Sequence, residues 1–417
     1  MITLVESRAW RFVALAILYS AQGLPFGLFN IAIPSWMATQ GYEAGDVAWF
    51  IGVVTLPWSL KLLAAPVMDR FTYLPMGYRR PWVIAAQLGI VISFLIFALV
   101  PTELVWLAAM GAITNSFAAT QDVAVDGMAI DILPATDRAR ANGFMFGGQY
   151  LGISMGASGG GYALNFFGIA GLGLAAAGLM MLVLLIPLLV RERPGEKLLP
   201  FSTGQPSPRE ALTESTWQLL RRTASVLLLP VSLLLLLSQL GGRMAEGIII
   251  AHLPIYTVQT MGLADTAYND FSTMGGIAAA ILGVLLAPFM DRIGAHNGHW
   301  YTLTLFVAVT LIIPLTLDHW PATTIVVHWI TAHLLGITLI ATMMRFCHPA
   351  VAATQFAIYM AMANLNYSIG AFVYGLIQDS FASSQVLWFA ALLAATAYPL
   401  WFLIVRNHVE PERPLEE

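Results

Sequence analysis

The sequence predicts an all-α membrane protein whose twelve transmembrane helices form two pseudo-symmetric halves of six. Three observations lead to this prediction: an apolar composition, a one-sided distribution of basic residues, and a motif that occurs once in each half. Of the 417 residues, 58% are hydrophobic and only 10% are charged, with a mean hydropathy of +0.76. Soluble domains carry about 25% charged residues, so a chain this apolar is expected to lie in a lipid bilayer.

Twelve apolar segments are long enough to cross a bilayer, since about 17–25 helical residues span the hydrocarbon core. They lie near residues 12–37, 47–68, 82–100, 104–132, 141–164, 168–190, 224–259, 270–290, 300–317, 321–345, 351–377 and 384–405. We number the predicted spans one to twelve in this order.

The basic residues predict the orientation. With the N-terminus in the cytoplasm, 17 of the 19 Lys and Arg residues fall in cytoplasmic segments, and only Lys61 and Arg243 lie within spans. The loops of the opposite side carry acidic residues instead, among them Glu43, Glu103 and Asp318. This distribution follows the positive-inside rule. It predicts a multi-pass protein of the cell inner (plasma) membrane with both termini in the cytoplasm.

One polar segment, 191–223, divides the chain. We therefore predict an N-terminal six-helix bundle at 1–190, a cytoplasmic linker at 191–223, a C-terminal six-helix bundle at 224–405 and a cytoplasmic tail at 406–417. Within the linker, Ser207-Pro-Arg-Glu210 has the pattern of a helix start. The linker is therefore either a short helix on the membrane surface or a flexible connection.

The two halves share a motif. Ala65-Pro-Val-Met-Asp-Arg70 ends span two, and Ala287-Pro-Phe-Met-Asp-Arg292 ends span eight, 222 residues later. Two six-span halves in parallel repeat resemble the major facilitator superfamily. The loop after span two also resembles the signature of that superfamily in a stretched form, Asp69-Arg70 followed by Gly77 and Arg79-Arg80.

The stretched loop is similar to that of the muropeptide permease branch, which includes acetyl-coenzyme A transporters. Gln121-Asp122-Val-Ala-Val-Asp126 in span four and Asp131-Ile-Leu-Pro134 before Arg138 agree with this branch. The resemblance covers roughly residues 12–165 well and the second half weakly. It implies alternating access and proton-driven import of a bulky polar solute, either a muropeptide-like peptide or glycoconjugate or a siderophore. Ala129 stands where muropeptide permeases tend to carry Lys, and this difference weakens the inference that the substrate is a muropeptide.

Three carboxylates within the spans are candidates for proton coupling, namely Asp122, Asp126 and Glu246. A carboxylate in hydrocarbon is costly and usually faces a cavity or a polar path. Asp122 and Asp126 lie at i and i+4 on one helix face, where two ionised carboxylates repel each other. The structural alternative is that they brace the cytoplasmic gate against Arg70, Arg138 or Arg140.

Two cations and several amides are candidates for substrate binding. Lys61 needs an anionic partner, either Asp122 or Asp126, or else an anionic group of the substrate. Arg243 and Glu246 form an i,i+3 pair in span seven. The preceding Gly241-Gly242 permits either a helix break or the close approach of another helix, and span one has a matching interruption at Gly23-Leu-Pro25. The candidate substrate-binding residues are Gln22, Asn30, Lys61, Gln121, Gln149, Arg243 and Asn366. Most polar residues in membrane bundles bridge helices, so that role stays open for each of them.

The charged residues of the repeated motif and its neighbours are expected to close the cytoplasmic side. This predicted gate comprises Asp69, Arg70, Arg79, Arg80, Asp131, Arg138, Asp291 and Arg292.

No cofactor or metal is expected beyond the proton gradient that would drive transport. Cys347 is the only cysteine, which excludes an intrachain disulfide. No nucleophile–base set marks an enzyme, and the expected partners are a small-molecule substrate and the lipid bilayer, without nucleic acid, for a monomer. Two other functions stay open: a proton-driven exporter of amphiphilic compounds, and a membrane receptor that has lost transport.

Overall fold

A computed structural model of the protein describes residues 3–134, 137–205, 221, 224–347 and 352–407. The helix predicted from Ser207 lies outside the described residues. Within the described helices, the side chains of Asp69, Arg138 and Asp291 also lie outside the description.

Twelve helices, numbered here as the spans, are present in the described part of the chain. In the first half, α1 is Arg8–Thr39, α2 begins at Ala44–Thr55 and continues through Pro57–Leu60, Lys61–Leu63 and Ala64–Arg70, α3 is Arg80–Phe97, and α4 is Leu104–Ile132. Helix α5 begins as Arg138–Ser154 and continues through Met155–Gly159 into Gly160–Leu189, where Gly168 (φ 64°, ψ −173°) separates it from α6. In the second half, α7 is Pro230–Thr260. Helices α8 and α9 are the two parts of Asp265–Thr316, which Gly294 (φ 81°, ψ 151°) divides. Helix α10 is Pro321–Arg345, α11 is Ala352–Ile377, and α12 comprises Ser383–Ala395 and Ala397–Asn407.

This count agrees with the hydropathy of the described helices. Ten segments are long and apolar enough to cross a membrane, and one of them, Arg140–Leu189, is the 50-residue pair that Gly168 divides into α5 and α6. Helix α4 has 29 residues, enough to cross a bilayer, but its polar residues keep it out of the apolar ten. The predicted twelve-helix fold is therefore confirmed, with α4 and α10 at their predicted bounds.

Glycines hold α1 against α5. Gly148, Gly152 and Gly156 follow one another at four-residue intervals on α5, and a Cβ at each would collide with a backbone carbonyl of α1. These carbonyls belong to Ala16, Ser20 and Leu24. Small residues at this spacing let two helix backbones approach closely.

The second half repeats this arrangement between α7 and α11. Gly247 lies against the carbonyl of Tyr367, and Gly370 lies against that of Met244. Gly247 follows Gly27 by 220 residues, and Gly370 follows Gly148 by 222, so the internal repeat extends to the helix contacts. Each half therefore contains a helix pair held by backbone contact.

Gly241-Gly242 shows the second of its two predicted alternatives, close helix approach, and the interruption predicted at Gly23-Leu-Pro25 is absent. Both helices run through these residues, since Gly23 and Gly241 provide close approach to α5 and α12 rather than an interruption. The irregular turns are π-helical and lie further along, at Leu28–Ala32 and Tyr256–Thr260. Each lies close to a proline, Pro34 or Pro254, whose missing N–H removes one helical hydrogen bond.

Candidate coupling and substrate site

Lys61 forms an ion pair with Asp122. The Lys61 Nζ lies 2.7 Å from Asp122 Oδ2, and the two side chains are only 13% and 7% exposed. The ammonium also lies 5.9 Å from the ring centre of Trp58, one turn earlier on the same helix. The 3₁₀ turn Lys61–Leu63 in α2 places this side chain against α4. Of the two partners expected for Lys61, an α4 carboxylate or an anionic group of the substrate, the structure contains the first.

Asp126, one turn further along α4, is held by α1. The Tyr19 hydroxyl donates a hydrogen bond to Asp126 Oδ1, and the Tyr19 ring packs edge-on against Phe146 of α5 at 6.4 Å. Asp126 therefore bonds to a neutral donor, whereas Asp122 bonds to a cation. Tyr19 was not among the predicted site residues. Its position three residues before Gln22 on α1 was a usable signal, because it shares the face of that candidate.

A second charged cluster lies in the C-terminal half. Arg243 pairs with Glu246, one turn apart on α7. The guanidinium lies 5.1 Å from the ring centre of Tyr367 and donates to the carbonyl of Ala363 at 3.4 Å, both on α11. The second carboxylate oxygen of Glu246 is buried and has no hydrogen-bond partner among the described residues. This pair is neutral as a whole, yet Glu246 retains an unused acceptor.

Aromatic side chains from both halves surround this second cluster. Phe26 of α1 lies 6.4 Å from Tyr367, and Tyr150 of α5 lies 4.9 Å from His333 of α10, both measured between ring centres. The charges of Arg243 and Glu246 act on Tyr150, which places it near the pair. The cluster therefore lies where α1 and α5 of one half meet α7, α10 and α11 of the other.

The predicted polar residues differ in whether their side chains already have hydrogen-bond partners among the described residues. Gln22 is fully buried, and neither atom of its amide has a partner among the described residues, while Gln121 donates to Leu18 O at 3.1 Å and leaves its own oxygen unused. Asn30 donates to Phe26 O and accepts from Thr55, so it bridges α1 and α2. Gln149 is half-buried on α5, and Asn366 is buried on α11. Gln22 and Gln121 thus have free hydrogen-bonding capacity, and Asn30 has a helix-bridging role.

Several predicted gate residues lie in contacts within the N-terminal half. Arg79 pairs with Asp131 at 3.4 Å, and Arg70 and Arg292 are exposed. Arg80 is 1% exposed, and its guanidinium donates to backbone carbonyls between Met76 and Leu198. Arg80 therefore fastens the loop after α2 to the start of the linker.

Glu192 completes this fastening from the linker side. Its buried carboxylate accepts hydrogen bonds from the backbone N–H groups of Tyr78, Arg79 and Arg80. Burial, followed by the neighbouring Glu196, raises the pKa of Glu192, although the three backbone donors act in the opposite direction. The described part of the linker, 191–205, is therefore anchored to the N-terminal half, a role that the sequence analysis did not assign to Glu192.

The sequence and the fold agree on the family. The sequence model of the Major Facilitator Superfamily matches residues 15–371. The chain belongs to this superfamily. As a superfamily member it is a multi-pass secondary transporter that acts on small-molecule substrates, and it is not an enzyme.

Solved structures show the same superfamily fold. The nucleoside transporter NupG superposes with a TM-score of 0.68 at 13% sequence identity, covering 95% of this chain and 98% of that one. A bacterial homolog to the human lysosomal transporter Spinster, in an inward-facing and unoccupied conformation, gives a TM-score of 0.68 at 16% identity, covering 96% and 98%. At these identities the similarity concerns the fold alone.

The relatives found by sequence match only part of this chain. The anhydromuropeptide permease of Escherichia coli (strain K12) is 30% identical over 145 residues, which is 34% of this chain and 29% of the permease. An uncharacterized protein of Schizosaccharomyces pombe is 32% identical over 130 residues, 28% of this chain and 24% of that protein. The chain thus matches less than a third of the length of either relative.

Proposed function

We propose that the protein is a proton-coupled importer of a bulky, polar solute that carries a negative charge. The observation that carries this proposal is the charge count around α4: buried Asp122 and half-buried Asp126 lie one turn apart, and among the described residues Lys61 is the cation beside them. Two ionised carboxylates beside one cation leave an uncompensated negative charge in a buried site, and one bound proton removes it. The arrangement therefore favours binding of one proton.

We assign that proton to Asp126. Asp122 is compensated by Lys61 at 2.7 Å, whereas the partner of Asp126 among the described residues is the neutral hydroxyl of Tyr19. In an import cycle Asp126 takes a proton from the outer compartment and releases it into the cytoplasm when the cavity opens to that side. Lys61 stays paired with Asp122 through both steps.

The solute is assigned to the second cluster. Arg243 is the cation there, and Phe26, Tyr150 and Tyr367 supply aromatic faces from both halves. An anionic group of the solute competes with Glu246 for Arg243, and the unused oxygen of Glu246 accepts a proton when the pair separates. The permease that matches 145 residues is named for anhydromuropeptides, which supports this solute class as the first to test.

The test is uptake into proteoliposomes that carry an inward proton gradient. Labelled anhydromuropeptide and a ferric siderophore are offered side by side to the wild type and to Asp126→Asn. We expect gradient-driven uptake of one solute by the wild type. In the variant this uptake is abolished, while exchange of labelled for unlabelled solute without a gradient persists.

Asp318→Asn is the matched control. Asp318 also accepts a tyrosine hydroxyl, that of Tyr256 at 2.8 Å, but it is exposed in the loop between α9 and α10. This control should transport like the wild type. Movement of either solute only when the gradient is reversed would instead support the exporter, and solute binding without movement in either direction would support the receptor.

A further inference from the structure

A small polar cavity lies inside the C-terminal bundle and reaches Arg243 of the second cluster. Its walls come mainly from three helices of that half, α7, α9 and α10. It is lined by Gln239, Gly242 and Arg243 of α7, by His299 and Leu303 of α9, and by Leu339 of α10. All of these except Arg243 are buried. The space is about the size of one water molecule.

Gln239 presents an unsatisfied amide in this cavity. The side chain is 2% exposed, and neither its nitrogen nor its oxygen has a hydrogen-bond partner among the described residues. The polar neighbours already have partners, since His299 Nδ1 lies 3.4 Å from Thr338 Oγ1 and Ser238 Oγ donates to the carbonyl of Leu235 at 2.8 Å. A buried amide without partners costs free energy, and a bound water removes that cost by both accepting and donating.

Arg243 has donors to share with such a water. A guanidinium carries five N–H groups. Among the described residues, Nη1 bonds to Glu246 and Nε donates to the carbonyl of Ala363 at 3.4 Å. The remaining donors belong to a side chain that lines the cavity one helical turn from Gln239. A water between the two side chains can therefore accept from Arg243 and donate to the Gln239 oxygen.

We propose that the cavity binds one water molecule, which joins the Gln239 amide to the Arg243 guanidinium and holds Arg243 in place for the solute. Gln239 is then a positioning residue that acts through Arg243. The charge of Arg243 is balanced by Glu246, so the cavity suits a neutral ligand rather than an anion. The inference rests on the proposed function in one respect, the assignment of an anionic group of the solute to Arg243.

Gly242 offers a way to fill the cavity without disturbing the helices. A Cβ at Gly242 would have one neighbour within 4 Å, Leu335 Cδ2 at 3.9 Å, which is an ordinary contact. Gly242→Ala therefore fits, and its methyl group takes space from the water. Gly336→Ala on α10 is the matched control, because a Cβ there has no atom within 4 Å and Gly336 does not line the cavity.

The first test locates the water and needs neither solute nor proton gradient. Brief X-ray irradiation of the purified protein generates hydroxyl radicals from water, including bound internal water, and mass spectrometry identifies the side chains that they oxidise. Leu303 is 1% exposed and lines the cavity, whereas Leu107 of α4 is equally buried and does not. We expect oxidation of Leu303 but not of Leu107 in the wild type and in Gly336→Ala. Gly242→Ala should abolish the oxidation of Leu303.

Two results would overturn the water site. Leu303 as unreactive as Leu107 in the wild type would mean that the cavity is dry. Unchanged oxidation of Leu303 in Gly242→Ala would mean that the reactive water lies elsewhere.

The second test measures the positioning of Arg243. Gln239→Leu removes the amide at similar volume, and it should raise the KM for uptake of the solute that the wild type transports about tenfold, equivalent to about 1.4 kcal/mol. The maximum rate should stay unchanged, because the proton site at Asp126 is untouched. A protein that is merely destabilised would show the opposite pattern, a lower maximum rate with an unchanged KM.

Gly242→Ala should raise KM in the same direction, which keeps this test valid if Gln239→Leu does not fold. A KM equal to that of Gly336→Ala in the folded variants would overturn the positioning role. If the wild type moves neither solute, the proposed function fails, while the oxidation of Leu303 still decides whether the cavity binds water.

Discussion

At the scale of single residues, Lys61 and Asp122 depend on each other. Both are buried, so removing one charge leaves the other uncompensated, which costs about 3–5 kcal/mol for buried pairs. We therefore expect Lys61→Met and Asp122→Leu each to lower the thermal unfolding midpoint in detergent strongly. The double variant should unfold closer to the wild type, since an apolar pair of similar volume is often tolerated.

This double-mutant cycle requires the unfolding midpoints of the wild type, both single variants and the double variant, measured under one condition. Additive losses in the double variant would show that the two side chains do not compensate each other. The pair Arg8–Asp137, at 2.7 Å with Arg8 56% and Asp137 7% exposed, is the comparison pair. Because Arg8 remains largely in water, its charge is screened, and Arg8→Met should lower the midpoint less than Lys61→Met does.

Glu192 gives a prediction for pH. Its pKa is raised in the folded protein by burial and by Glu196, so the folded state binds the proton more tightly than the unfolded state. Its contribution to stability is therefore complete at low pH and declines as the pH rises from about 4.5 through the folded pKa. Glu192→Gln should flatten this part of the profile of unfolding midpoint against pH.

The matched control for this profile is Glu103→Gln, since Glu103 is exposed at the start of α4. It should keep the slope of the wild type. A Glu192→Gln profile that remains parallel to that of the wild type would show that Glu192 does not cause the slope.

The sequence indicated the partner of Lys61 but not the partner of Tyr19. The ion pair of Lys61 was one of two predicted alternatives, because a lone buried ammonium is costly and needs an anion, either an acidic residue in reach or a group of the substrate. The Tyr19–Asp126 bond was not predicted, because a tyrosine in an apolar helix is stable in many orientations and its sequence position does not fix one. Glu192 was missed for a related reason, since its partners are backbone N–H groups, which every residue carries.

At the scale of helices, Gly152 decides how closely α5 approaches α1. Gly152→Ala places a methyl group against the carbonyl of Ser20, and overpacking of this kind costs about 1–3 kcal/mol. We expect a lower unfolding midpoint and less folded protein after detergent extraction. Gly147→Ala, on the same helix with nothing within 4 Å, is the control and should be neutral or slightly stabilising because alanine favours the helix. Equal midpoints for the two variants would contradict the close packing described here.

Hydrophobic length predicted the helices better than it predicted their irregularities. The bounds of α4 and α10 were correct because a charged or proline-containing boundary follows a long apolar run. The interruption expected at Gly23 was wrong, and the choice at Gly241 stayed open, because a glycine either interrupts a helix or admits a neighbour, and the sequence does not show the neighbour. The π-helical turns beside Pro34 and Pro254 depend on where the lost hydrogen bond is absorbed, which packing decides.

At the scale of the whole molecule, the repeat made the two-half plan predictable, whereas contacts between the halves were not. The Ala-Pro-x-Met-Asp-Arg motif is visible at a fixed offset. The three side-chain hydrogen bonds between α5 and α8, by contrast, join residues about 100 positions apart that share no sequence pattern. The aromatic cluster around Arg243 could not be predicted either, because its members Phe26, Tyr150 and Tyr367 come from three separate helices.

A cross-link between the halves tests how the whole molecule moves. In the Cys347→Ser background, Ser158→Cys with Thr273→Cys replaces two hydroxyl oxygens that lie 2.8 Å apart in different halves. Ser93→Cys with Thr114→Cys replaces a similar pair, 3.0 Å apart, within the N-terminal half. If the halves must part where α5 meets α8, oxidation of the first pair should abolish anhydromuropeptide uptake and a reductant should restore it. Oxidation of the second pair should leave uptake unchanged, because α3 and α4 move together. Full uptake with the first pair oxidised would mean that the two halves stay joined at α5 and α8 throughout transport, and that the cavity opens elsewhere.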